Sequence, residues 1–204
     1  MFMFKFKRIG TFVLVVAVLG LLGSASVAQL RVPTIDGKIG KFEYRNLYHN
    51  NATRMTLYWT IDGDTLYVGL EALAKGWISW GIVTDAGADM ILAFVKDGKL
   101  NISDTFGRPH QTHRADTDQG GKNDILASVG IESEVETAIG KVTLTVVEFS
   151  RKLNTADRTD NVVVEGALRT FLAFSDADDF VTNHGRDRRD AVQINYFNGA
   201  INDF

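Results

Sequence analysis

The 204-residue chain contains four histidines, four methionines and no cysteine, so any cofactor it holds must be bound through nitrogen, oxygen or thioether sulfur. The missing thiol excludes a thiolate nucleophile, cysteine-ligated zinc, iron–sulfur clusters and covalent haem attachment. His110 and His113 fall in a polar stretch, residues 105–123, that also carries Gly107, Pro109, Gly120 and Gly121. His184 sits in Phe180-Val181-Thr182-Asn183-His184-Gly185-Arg186. Acids cluster at Asp116, Asp118 and Asp124 and again at Asp176, Asp178 and Asp179, but neither set has EF-hand spacing, since the twelfth position counted from Asp116 is Ala127. Both sets read as solvated turn acids, and no metal site is expected. Serine, histidine and aspartate are all present, yet there is no Gly-x-Ser-x-Gly elbow, His-Glu-x-x-His, phosphate loop or dinucleotide fingerprint. The chain reads as a non-enzyme.

Composition narrows the partners. With 22 basic against 25 acidic residues and a net charge of −3, there is no basic surface of the size that displaces counterions from a nucleic acid. Residues 1–28 read as a sorting signal: Lys5, Lys7 and Arg8 precede an apolar run over 9–22, and Ser26 and Ala28 supply the small residues of a signal-peptidase site. The run is shorter than the ~20 residues that span a bilayer. Cleavage is expected to leave residues 29–204, starting at Gln29, as one secreted or periplasmic domain with no stable membrane span.

The elements that must position these residues are strands. Met55, Leu57, Trp59 and Ile61 alternate with polar residues, the period of a half-buried strand. Asp62-Gly63-Asp64 turns this strand into residues 65–70 as a hairpin. Residues 77–83 form a third strand. Residues 88–95 are nearly all apolar, as in a strand covered on both sides, and Asp97-Gly98 closes them into a hairpin with residues 100–104. Further strands are expected at 124–131, 141–150, 168–175 and 191–197. Nine to ten short strands without a helical repeat predict an all-β antiparallel sandwich.

At this point the residues meet a family. Thr34-Ile35-Asp36-Gly37-Lys38-Ile39, Glu43-Tyr44, Gly76-Trp77-Ile78-Ser79-Trp80-Gly81, Gly87-Ala88-Asp89-Met90-Ile91 and Glu148-Phe149-Ser150-Arg151-Lys152-Leu153-Asn154-Thr155 occur in an order that resembles the DOMON superfamily. Gly120-Gly121-Lys122-Asn123-Asp124-Ile125 is similar to its secreted prokaryotic branch. The resemblance implies an immunoglobulin-like β-sandwich that binds either b-type haem, as in the cytochrome domain of cellobiose dehydrogenase, or sugars and related small ligands. It leaves the ligand open.

For haem, the resemblance puts an axial histidine at His184, with an extracytoplasmic redox partner implied. The family's opposite methionine precedes the strand that begins near Ala88, but that loop reads Val83-Thr84-Asp85-Ala86-Gly87, with Asp85 where the thioether is expected. Met90 and His113 remain as alternatives for the sixth position, and Met90 also reads as core filler. For a sugar, an exposed aromatic is needed; Trp59 and Tyr67 are candidates, beside the pocket pair Trp77 and Trp80. Three positions apart on a strand, they face opposite sides, so at most one lines a given concavity.

Overall fold

The computed structural model describes residues 32–108, 112–138 and 140–202. The expected signal at 1–28, the Gln29 start and His110 lie outside the described residues. The chain forms β1 (Asn46–Asn50), β2 (Met55–Asp62), β3 (Thr65–Ala72), β4 (Ile78–Thr84), β5 (Gly87–Lys96) and β6 (Lys99–Gly107). After these come β7 (Arg114–Ala115), a 3₁₀ turn at Asp116–Gln119, β8 (Ile125–Thr137) and β9 (Gly140–Lys152). β10 (Leu168–Phe174), β11 (Arg189–Ile194) and β12 (Ile201–Asn202) complete the chain. One sheet runs β1-β2-β3-β9-β8 and the other β12-β11-β10-β4-β5-β6-β7, and every pairing is antiparallel.

This is the expected sandwich with more strands than the nine to ten read from sequence. Two of the additions, β7 and β12, are two-residue pairings with no pattern of their own. β1 reads Asn-Leu-Tyr-His-Asn and is too polar to announce itself. β8 extends six residues past its expected end, through Glu132, Glu134 and Glu136, because β9 offers it a continuous partner down to Gly140.

Strict alternation divides the inner and outer faces. Leu57, Trp59, Leu66, Val68, Val147 and Phe149 from the first sheet pack against Ile78, Trp80, Ile82, Ile91, Leu172 and Ile194 from the second. Trp80 donates its indole N–H to Tyr196 Oη at 2.8 Å, and Trp59 donates to the Tyr196 carbonyl at 3.1 Å. Each buried indole therefore has a partner, as burial of an N–H requires.

The outer face of the first sheet buries Glu148 of β9, which is capped by the segment before β1. Its Oε2 accepts the backbone N–H of Gly37 at 2.7 Å and of Asp36 at 3.2 Å, and its Oε1 accepts the Tyr44 hydroxyl at 2.7 Å. Glutamine must turn an amide NH₂ toward one of these donors. Glu148→Gln is expected to lose about 1–3 kcal/mol, read as a lower denaturation midpoint at unchanged slope.

Candidate functional site

The outer face of the second sheet is also covered, and by a different device. Trp77, Met90, Leu92, Phe94 and Ala173 form a second apolar cluster there, with Ala88, Phe171 and Phe180 packed on it. This explains why β5 is apolar at successive positions: Asp89, Ile91 and Ala93 take the inward parity, and Met90, Leu92 and Phe94 the outward. The chain after β10 folds back over this face. Ser175 N–H donates to the Trp77 carbonyl at 2.9 Å, Trp77 N–H to the Ala177 carbonyl at 3.0 Å, and the Trp77 indole N–H to the Thr182 carbonyl at 2.9 Å. Phe180 lies against Phe94 at a centroid distance of 4.9 Å.

Between this returning segment and the sheet is a cavity of about 630 Å³, within the range of small-molecule and cofactor sites. Trp77, Met90, Leu92, Phe171 and Phe180 supply its apolar lining, and His113, Thr112, Asn183 and His184 its polar part. Gly81 lets Phe171 lie on the sheet, because a Cβ there would sit 2.3 Å from Phe171 Cε1 and 2.6 Å from the Asp89 carbonyl oxygen. Gly107 leaves room at the other end: a Cβ would lie 3.1 Å from Met90 Cε and 3.4 Å from His113 Cβ, so the Met90 methyl and the stem of His113 both crowd this glycine. An adjoining hollow of about 490 Å³ shares Met90, Phe171 and His184 and adds Arg169, Arg189 and Asp190.

The two imidazoles are prepared differently. Burial first, and then the neighbouring His184, lower the pKa of His113 and so favour its uncharged ring, the form that can ligate. The ring of His184 packs edge-on against Trp77 at 6.2 Å, and its Nδ1 bonds the Gly185 carbonyl. A carbonyl only accepts, so Nδ1 is the donor and Nε2 is the nitrogen left to face a ligand. The cavity thus presents two imidazoles and a thioether over an apolar floor, a set that fits a non-covalent haem.

Four of the residues singled out from sequence come together here: Trp77, Met90, His113 and His184. Trp80 does not join them, being fully buried in the inner core with its N–H satisfied. Trp77 lines the cavity but is only 3% exposed, so it offers no open indole platform. Sequence reasoning missed Phe171 and Phe180, and it missed the outward parity that makes Met90 part of a pocket floor. The signal available was the uninterrupted apolar run of β5, which needs cover on both faces.

One expectation is overturned outright. Asp116 is not a solvated turn acid: it is 0% exposed, because the 3₁₀ turn it opens tucks against the end of the second sheet. Asp118, two residues on, is exposed as expected.

The chain is 26% identical over 161 residues to DBH-like monooxygenase protein 1 of Gallus gallus, covering 78% of this chain and 22% of that protein. It is 26% identical over 121 residues to the Mus musculus protein of the same name, covering 58% of this chain and 18% of that one. The chain therefore spans about a fifth of the length of these curated relatives. Among solved structures it is similar to the cytochrome b domain of pyranose dehydrogenase from Coprinopsis cinerea, with a TM-score of 0.47 and 8% identity over 72% of this chain and 80% of that one. It is also similar to the cytochrome domain of Myriococcum thermophilum cellobiose dehydrogenase, with a TM-score of 0.45 and 10% identity over 71% and 76% of the two chains. The DOMON domain family model matches residues 51–175, from the start of β2 to the end of β10 and so over the strands that floor the cavity, and the chain belongs to the DOMON domain family.

Proposed function

We propose that this chain is a non-enzymatic ligand-binding module that holds b-type haem in the outer-face cavity and serves electron transfer or redox sensing. The observation that carries this reading is the convergence of Met90, His113 and His184 on one cavity whose floor is apolar. Haem bound there supplies a one-electron couple whose potential follows from its axial ligands and surroundings. The rest is the work of the chain's own residues. Trp77, Leu92, Phe171 and Phe180 exclude water from the faces of a flat ligand, and the Gly185 carbonyl orients the His184 ring. Arg169 and Arg189 line the adjoining hollow, where cationic heads suit a ligand that carries carboxylates.

The sugar reading is the less favoured of the two, since Trp59 and Trp80 are fully buried and Trp77 is nearly so. A monooxygenase activity is named for relatives of which this chain matches only about a fifth; for this chain we assign binding. We also read residues 1–28 as an export signal, which puts the module outside the cytoplasm, within reach of an extracytoplasmic redox partner. No helix among the described residues is long and apolar enough to cross a membrane.

Titration of the purified protein with hemin tests the reading. Uptake of one equivalent is expected, with a Soret band that sharpens and shifts on dithionite reduction. A protein that stays colourless after hemin titration and desalting would move the assignment to a carbohydrate-binding or interaction module, to be screened on immobilised glycans.

A further inference from the structure

Behind the pocket floor, on the inward parity of the same strands, lies a group of acids that the haem reading does not use. Asp89 of β5, Asp104 of β6 and Asp160, in the loop after β9, bring one carboxylate oxygen each within 4.8 Å of one another. Asp89 Oδ2 accepts from Arg151 Nη1 at 2.7 Å and from the Asn161 N–H at 2.8 Å, which leaves Oδ1 buried without a donor. Asp104 Oδ2 accepts the Asp124 N–H at 2.9 Å, and again Oδ1 is left over. Arg151 Nη2 stands 3.1 Å from Asp160 Oδ2, but off the hydrogen-bonding angle, so neither Asp160 oxygen is satisfied.

A fourth acid makes the point independently. Asp116 is 0% exposed and neither of its oxygens is in hydrogen-bonding geometry with a donor. The Thr159 hydroxyl, which pulls on it, is given to Asp157 Oδ1 at 2.7 Å. Its carboxylate feels the charges of Asp104, Asp160 and Asp89, so it belongs to the same electrostatic group. Against these acids stands Arg151, the one buried cation among the described residues. Buried carboxylates without donors are strongly unfavourable unless a proton or a cation supplies the missing charge.

We propose that Asp89, Asp104 and Asp160 bind a divalent cation, calcium by its chemistry, between the two sheets at one end of the sandwich, with the buried, donorless Asp116 adding its charge nearby. The donors are all hard oxygens, whereas zinc prefers nitrogen and sulfur. Calcium accepts six to eight oxygens in flexible geometry and tolerates bidentate carboxylates, while magnesium keeps several waters that a site this buried has little room for. Without the ion the charge is met by protons: burial first, and then the neighbouring acids, push Asp116 up to about 8, and burial pushes Asp104 up to about 7. Asp116 follows His113 by three residues, so the ion's charge also offsets the acid nearest the segment that carries His113, though the site does not depend on what the cavity holds.

The test uses the purified full chain, stripped with EGTA and titrated with calcium chloride while its melting temperature is followed, with magnesium chloride in parallel. Calcium is expected to raise Tm by about 5–10 °C at a hundredfold excess over Kd. Asp104→Asn removes a ligand charge and Asp116→Asn a neighbouring one, and the first is expected to weaken calcium about tenfold or more, the second by less. In EGTA the same variants should melt no lower than the parent, because each replaces a buried carboxyl that must otherwise take up a proton to be tolerated among its acidic neighbours. A parent Tm indifferent to millimolar calcium overturns the proposal. So do asparagine variants that melt lower in EGTA yet respond to calcium as the parent does, since the carboxylates would then be structural. An equal response to magnesium overturns the choice of calcium.

Discussion

Arg151→Leu is expected to destabilise the chain by about 3–5 kcal/mol, because it strips the buried carboxylates of Asp89 and Asp160 of the guanidinium that pairs both. The side chain is 1% exposed and runs from β9 in one sheet to Asp89 on β5 in the other, so it ties the layers together as well as balancing charge. A leucine fills much of the volume and so separates the loss of charge from the loss of packing. In EGTA the deficit should depend on pH with a definite sign. Asp89 is already raised to about 6, by burial first and then by Asp160, with Arg151 holding it down. Removing the arginine raises it further. A carboxyl whose folded pKa lies above its unfolded value contributes stability that is complete below the unfolded value and is lost as pH rises through the folded one. Urea denaturation should therefore show the variant closer to the parent at pH 5 than at pH 8. A deficit under 1 kcal/mol at both pH values would show that the pair contributes little.

What the sequence made legible follows the same split between parity and long-range contact. The β2–β3 hairpin was readable because Asp62-Gly63-Asp64 supplies the turn and alternation sets the register, and Asp62 does pair with Thr65. The opposite facing of Trp77 and Trp80 was readable from the same period of two. The apolar run of β5 announced that both of its faces are covered. What covers the outer face was not legible: the segment carrying Phe180 and His184 has no periodicity and is placed by hydrogen bonds to Trp77 about a hundred residues away in sequence, such as Trp77 to Thr182. The acid cluster leaves one signal in the sequence. Asp89 is a charged residue at an inward position of an otherwise apolar strand, and Arg151 matches it in a strand of the opposite sheet. A charge at such a position requires a partner from elsewhere in the chain. Asp116 gave no signal at all, since a turn acid looks the same in sequence whether the turn faces water or the protein.

The largest functional effect is expected at His184. If haem occupies the cavity, His184→Ala should abolish low-spin absorption of the hemin-loaded protein and weaken hemin retention by more than about tenfold, while the fold survives. The side chain is half-buried in a segment outside the strands, its Nδ1 bonds the adjacent Gly185 carbonyl, and it sits against an indole already fixed by Thr182, so its removal frees no core cavity. The two candidates for the opposite position then separate by their own variants. Met90 and His113 both approach Gly107, so either can reach a ligand over that end of the floor. Met90→Leu keeps the volume and the apolar floor, and as filler alone it should cost less than about 1.5 kcal/mol and leave the spectrum untouched. His113→Ala removes a neutral imidazole, and as the sixth ligand its loss should convert low-spin to high-spin absorption and open the site to imidazole added in solution. Rescue of the low-spin spectrum in His113→Ala by free imidazole would assign the position to His113. A spectral change confined to Met90→Leu would give the position to the thioether. An unchanged reduced spectrum in His184→Ala would refute the assignment at its centre, because the residue on which the resemblance and the cavity geometry agree would not be touching the iron.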